Sequence, residues 1–432
     1  MSAAASRRRS GRLVATLAAG LLAGLAPAAG AAEPPPRISA ASAIVVEAST
    51  GDVAYGRRAD ERRQIASTTK MMTALVSRSE LPLSRTLRAA PYAALPVESK
   101  IDLRTGEPMR VADLLRALML ESANDAAVTL AVGASGSRAA FVREMNDRAR
   151  QLGLENTRFA NPVGLDDPRN YSTAADLVTL ATEVRGDAFL RRVVSLPRAR
   201  LRTGDRPRIV QNRNTLVREG FANGVKTGRT NRAGYILVGS KTRDGITVVS
   251  AVLGEPSEAA RDADSRALLS WALDRYRRER VLKRDTVIAT VPIRYRDTQV
   301  GVIPTREIGR VVPRDERLDV RIADVPERVD GPLPAGSRAG IAVVSQGGRE
   351  IARVPLVTAE AVPEAGLWLK ARDAMSGWWW IPVAVGLAAL GTLLALLLRR
   401  RAAGRRRLEA ERRRASREQA RAALEEHRSP VA

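Results

Sequence analysis

The chain runs to 432 residues, room for two modest domains at roughly 150 residues each. It holds no cysteine and a single histidine, His427, so disulfides, thiol catalysis and Cys-ligated metals are excluded, and a Ser-His-Asp triad would have only the frayed C-terminal end to stand on. Of the net charge of +24, the first twelve and last 34 residues carry 11, and aromatics make up only 3%, which argues against stacking platforms for nucleic acid and suits a membrane or an anionic cell wall.

Residues 1–32 read as a secretory signal: Arg7, Arg8 and Arg9, an apolar run from Leu13 to Ala26, then Ala29-Gly30-Ala31 as a cleavage site. Pro34, Pro35 and Pro36 form a stiff lead-in. Ala43–Val46 and Val53–Tyr55 flank Ser49-Thr50-Gly51-Asp52 as strand, turn and strand. Helical spacing follows from Ser67, with Met71, Met72, Leu75 and Val76 on one side. A second amphipathic helix carries Leu114, Leu115 and Leu118 and ends at Glu121-Ser122; further helices cover 125–132, 138–152 and 173–185. Strands return at 225–227, 234–240 and 246–253, with Arg243-Asp244-Gly245 as a turn, before a helix over 260–276. This order predicts an α+β domain over 33–278, an antiparallel sheet assembled from both ends of the segment, flanked by helices and carrying a helical lobe.

Short strand-like runs separated by Gly, Pro and Asp predict a small all-β domain over 279–358, followed by a linker over 359–377. Residues 378–398 open on Trp378, Trp379 and Trp380 and contain no charge. As a helix they span about 31 Å, the thickness of a hydrocarbon core. Arg399–Arg401 and Arg405–Arg407 beyond them place the tail, 399–432, on the cytoplasmic side and everything before 378 outside. No internal repeat is present.

Three short segments carry candidate chemistry. In Ser67-Thr68-Thr69-Lys70 the i,i+3 helical spacing lets the Lys70 amine reach the Ser67 hydroxyl. Ser122-Ala123-Asn124 sits at a corner between helices. In Lys226-Thr227-Gly228, residues 226 and 228 share one face of a strand, and the glycine admits a substrate backbone. Each alone has a bland reading: Ser67 as a helix N-cap, Ser122 as a corner cap, Lys226 as a solvated lysine. Composition sharpens the argument. Of 71 basic residues only six are lysine, at 70, 100, 226, 241, 283 and 370, so this chain writes arginine wherever a charge suffices. Arginine cannot accept a proton, whereas a desolvated lysine can, which gives Lys70 a reason to resist the bias.

S-x-x-K, S-x-N and K-T-G together mark penicillin-binding proteins and serine β-lactamases. With Ser67–Ala74, Glu121–Ala127, Asn161-Pro162-Val163-Gly164-Leu165 and Gly224–Gly228, residues 38–278 resemble the low-molecular-mass serine D-alanyl-D-alanine carboxypeptidases. The resemblance implies a β-lactamase/transpeptidase-like fold. It makes Ser67 the nucleophile, Lys70 its base, Ser122 a proton relay and Asn124 a holder of the substrate amide and of the Lys70–Ser122 hydrogen bonds. Lys226 and Thr227 would bind the terminal carboxylate, beside Gly228, and the amides of Ser67 and Arg229 would form the oxyanion hole. The implied partners are a peptidoglycan stem peptide, β-lactams and the cell membrane, with no nucleic acid, no metal and no cofactor. Two features depart from the family: arginine at 229, where an aromatic or histidine is common, and a spanning helix where relatives often have an amphipathic one. The 161–165 segment reads as a structural turn beneath the site, Asp125 as a helix-start carboxylate, and Arg202, Arg206 and Arg208 as a solvated face. A β-lactamase would want a second carboxylate base and S-D-N. A D,D-endopeptidase and a slow-turnover penicillin-binding sensor are the remaining rivals.

Overall fold

A computed structural model describes residues 33–375 and 380–426. The expected signal over 1–32, Trp378 and Trp379 of the expected span, and the end of the tail with His427 lie outside the described residues. The chain divides into two compact units: one ends at Arg280 and takes in Gly309–Leu318, the other takes Val281–Ile308 and resumes at Asp319.

The first unit is built on a five-stranded antiparallel sheet of β1 (Ser42–Glu47), β2 (Val53–Arg57), β3 (Val225–Thr230), β4 (Gly234–Arg243) and β5 (Ile246–Glu255), in the order β2-β1-β5-β4-β3. The start and end of the segment thus meet at the β1–β5 pair, as expected. Both faces of β1 are covered. Ala43 and Val45 point to one apolar core and Ile44 to the other, which explains the unbroken apolar run in a strand whose side chains alternate.

The helices are α1 (Lys70–Glu80), α2 (Val111–Arg116), α3 (Asn124–Ser135), α4 (Arg138–Gln151), α5 (Ala174–Gly186), α6 (Ala188–Val194), α7 (Thr215–Arg218) and α8 (Glu258–Arg275). Leu268, Leu269 and Leu273 of α8 pack with Leu237 and Val248 on one face of the sheet; α1 to α6 form the lobe core on the other. Five helix starts follow from side chains that accept an orphan backbone amide: Ser137 from Ala140, Thr173 from Asp176, Asp187 from Leu190, Asn214 from Leu216 and Ser257 from Ala260. The short α6 and α7, and a hairpin of Arg198–Leu201 with Arg208–Gln211, are additions to the expected elements. Tyr276–Leu282 forms a strand paired with Ile308–Pro313, where the sequence pattern ended a helix.

The second unit holds a five-stranded sheet of β6 (Ala289–Pro292), β7 (Gln299–Pro304), β8 (Leu318–Ala323), β9 (Arg338–Gln346) and β10 (Arg349–Thr358), in the order β6-β7-β10-β9-β8. The stretch expected to be a plain linker contains a helix, α9 (Leu367–Met375). Then α10 runs unbroken for 47 residues, Trp380–Glu426, through both the apolar run and the arginine-rich tail. Its apolar stretch is exposed throughout, and it is long and apolar enough to cross a membrane.

Candidate active site

Ser67 lies on a single 3₁₀ turn, Ala66–Thr69, that feeds α1. It caps nothing. Its hydroxyl instead accepts from Lys70 Nζ at 3.0 Å, the contact expected from the i,i+3 spacing. Lys70 is wholly buried and also donates to the Val163 carbonyl at 2.5 Å. Burial drives its ammonium well below the ordinary lysine range, the Lys226 charge adds to this, and Glu98 and Asp125 oppose it.

The turn Asn161–Leu165 holds that carbonyl in place. Asn161 Oδ1 accepts from the amides of Val163, Gly164 and Leu165 at 3.2, 2.7 and 3.2 Å, and the Thr73 hydroxyl donates to the Pro162 carbonyl at 2.7 Å. The turn is structural, as expected, yet it also supplies an acceptor to the site lysine. Its glycine is obligatory: Gly164 has φ +88°, and a Cβ there would stand 2.0 Å from the Ala66 carbonyl oxygen. Ala66 itself has φ +46°, so Ser67 follows a strained residue.

Ser122 ends a wide turn, Ala117–Glu121, that extends α2. It has φ +65°, and its buried hydroxyl has no hydrogen-bond partner. An unpartnered hydroxyl at a left-handed position is a poor cap and a ready proton carrier. Asn124 opens α3, but the expected bridge from it to Lys70 and Ser122 is not made. Its Nδ2 donates to Glu98 Oε2 at 2.6 Å and to the Tyr92 hydroxyl at 3.4 Å. The cause is the loop over 91–103, brought onto α3 by Asp125, whose carboxylate accepts from the amides of Ile101 and Leu103. Asp125 is therefore the helix-start carboxylate expected, with a loop-anchoring task besides.

On β3, Lys226 is 1% exposed rather than solvated, and donates to the Thr227 carbonyl at 3.1 Å. Burial pulls its pKa down to about 7; Arg213 and Arg261 push the same way, and Glu121 opposes them. Gly228 brings the strand against the backbone of Ile65 to Ser67, since a Cβ there would meet the Ile65 carbonyl oxygen at 3.1 Å and the Ser67 amide nitrogen at 3.3 Å. Thr227 is buried beside them, while Arg229 is exposed with its guanidinium over the Tyr235 ring, 5.0 Å from the centroid. Motif reading missed Tyr92, Glu98, Arg213 and Arg261. None belongs to a short pattern, and only the fold brings Tyr92 to Glu98, the Glu98 charge to Lys70, and the charges of Arg213 and Arg261 to Lys226. The reading of Arg208 as part of a solvated face is overturned: it is buried and doubly paired with Glu107 at 2.6 and 2.9 Å. Among the described residues there is no cluster of metal-ligating side chains.

Comparison with known proteins gives the family. Residues 29–257 match the family described as Peptidase_S11, D-alanyl-D-alanine carboxypeptidase. The chain is 30% identical over 386 residues to D-alanyl-D-alanine carboxypeptidase DacF of Bacillus subtilis, covering 85% of this chain and 98% of that protein. It is 31% identical to DacA of Escherichia coli K12 over 357 residues, 78% of this chain and 87% of that one. Among solved structures it is similar to penicillin binding protein 5 from Haemophilus influenzae, with a TM-score of 0.58, 29% identity, and coverage of 77% of this chain and 99% of that one.

Proposed function

The chain belongs to the D-alanyl-D-alanine carboxypeptidase family, and from that premise we propose that Ser67 is the nucleophile with which it removes the terminal D-alanine of peptidoglycan stem pentapeptides. The observation that carries the assignment is the wholly buried Lys70 amine, 3.0 Å from the Ser67 hydroxyl and held below its ordinary basicity range. A lysine whose burial disfavours its charged form can take the Ser67 proton as Oγ attacks the carbonyl of the penultimate D-alanine. The carbon–nitrogen bond then breaks, and the departing D-alanine nitrogen receives a proton through Ser122. Water hydrolyses the acyl-enzyme and releases the shortened peptide. Lys226 and Thr227, with the nearby charges of Arg213 and Arg261, receive the terminal carboxylate. Backbone amides of Ser67 and Arg229 stabilise the oxyanion. β-Lactams acylate the same serine.

Asn124 holds the substrate amide by accepting its N–H at Oδ1, the end of the carboxamide left over once Nδ2 is taken by Glu98 and Tyr92. We further read α10 as a membrane anchor with the catalytic unit outside and the arginine-rich tail inside, because positive charge is retained on the cytoplasmic side. The test is release of D-alanine from a pentapeptide by the full-length protein, alongside labelling with a fluorescent penicillin. Ser67→Ala is expected to lose both; labelling that survives in Ser67→Ala would refute the assignment.

A further inference from the structure

Glu98 reaches the site from the loop ahead of α2. Its Oε2 accepts from Asn124 Nδ2 at 2.6 Å and from the Tyr92 hydroxyl, and its Oε1 accepts from the Leu95 amide at 3.0 Å. An ionised carboxylate only accepts, whereas a carboxamide has one donating and one accepting end. Glu98 therefore permits a single orientation of Asn124, with Nδ2 toward the loop and Oδ1 turned away from it. Burial pushes the Glu98 carboxyl upward, but hydrogen bonds from Tyr92, Asn124 and Leu95 and the Lys70 charge outweigh this and keep it ionised. The same negative charge acts on Lys70, together with Asp125 and against Lys226.

We propose that Glu98 is a positioning residue for acylation: it fixes which end of the Asn124 carboxamide faces the reacting groups. This rests on the reading of Ser67 and Lys70 as the acylating pair. That reading fails separately if the wild-type protein does not acylate or if Ser67→Ala still does. The experiment is the penicillin acylation rate against pH for wild type, Glu98→Gln, Asn124→Ala and the double variant. Glu98→Gln offers both a donor and an acceptor, so Asn124 is free to flip, and acylation is expected to slow about tenfold. The acidic limb should also move to lower pH, because Lys70 loses a carboxylate that favours its ammonium form. On the pH plateau, where the Lys70 titration no longer enters, the double variant should be no slower than Asn124→Ala alone, since Glu98 acts on the rate through Asn124. Should Glu98→Gln not fold, Glu98→Asp, too short to hold Asn124 and Tyr92 together, carries the same expectation. An unchanged rate overturns the proposal, and so do losses that multiply in the double variant. Normal acylation with slowed release of the penicilloyl group would also overturn it, assigning Glu98 to the hydrolytic water.

Discussion

At the scale of single residues, the proposed function divides the chemistry between two lysines in a chain that strongly prefers arginine. Lys70→Arg keeps the charge and removes the proton acceptor, because the guanidinium pKa lies too high to take a proton near neutrality. The expected loss in penicillin acylation is at least roughly 10²–10⁴-fold; a rate near wild type would end the lysine-base assignment. Lys226 is proposed to meet the substrate carboxylate instead. With a pKa near 7 it carries its proton below that pH and offers a carboxylate a full cation, while above it the charge is lost. KM for a D-alanyl-D-alanine peptide should therefore rise above about pH 7. Lys226→Arg should abolish that rise and cost much less activity than Lys70→Arg. Peptide KM measured between pH 6 and pH 9, spanning the titration on both sides, decides it.

Elements matter here through the close approaches they permit. Gly164→Ala would strain a left-handed backbone and drive a Cβ into the Ala66 carbonyl, next to the proposed nucleophile, Ser67. It should cost at least about 1–3 kcal/mol and lower the acylation rate as well. Gly136→Ala is the control: φ is +75° at the end of α3, but nothing lies within 4 Å, so it bears only the backbone penalty of about 1–2 kcal/mol and leaves acylation intact. Urea denaturation with a penicillin assay on both variants separates the two effects. The Arg208–Glu107 pair ties the hairpin of 198–211 to the loop above α2. Arg208→Met would leave the Glu107 carboxylate buried and unpaired, a loss of about 3–5 kcal/mol. Acid should weaken the same link. Burial raises the Glu107 pKa, but Arg208 and two backbone amides outweigh it and hold it at about 2. Its contribution is thus complete above the free-glutamate range and is lost as the pH falls through about 2.

For the whole molecule, the consequential feature is α10. One uninterrupted helix joins an exposed apolar stretch to an arginine-rich end, so anchor and tail form a single rod. A chain ending before residue 378 should leave the membrane fraction while keeping penicillin labelling. Protease added outside spheroplasts should digest the catalytic unit and spare the tail. A protected catalytic unit would reverse the proposed orientation.

The sequence by itself determined the α+β class, the sheet closed by β1 and β5, and the grouping of Ser67, Lys70, Ser122, Asn124 and Lys226 into three motifs. These are legible because hydrophobic period and motif spacing act over a few residues, and because the arginine bias makes each retained lysine informative. What only the tertiary structure decided acts across the chain. The Val163 carbonyl under Lys70 comes from 93 positions away, and the Glu98 carboxylate on Asn124 from 26. Arg208 looked like a surface charge because its partner, Glu107, lies 101 residues upstream. The short α6 and α7 escaped notice since so few residues carry no readable period and owe their stability to a cap and a covered face. Local pattern specifies which groups a chain brings to its chemistry; burial and long-range pairing set their protonation and aim, because desolvation and Coulomb forces depend on distance in space rather than along the chain.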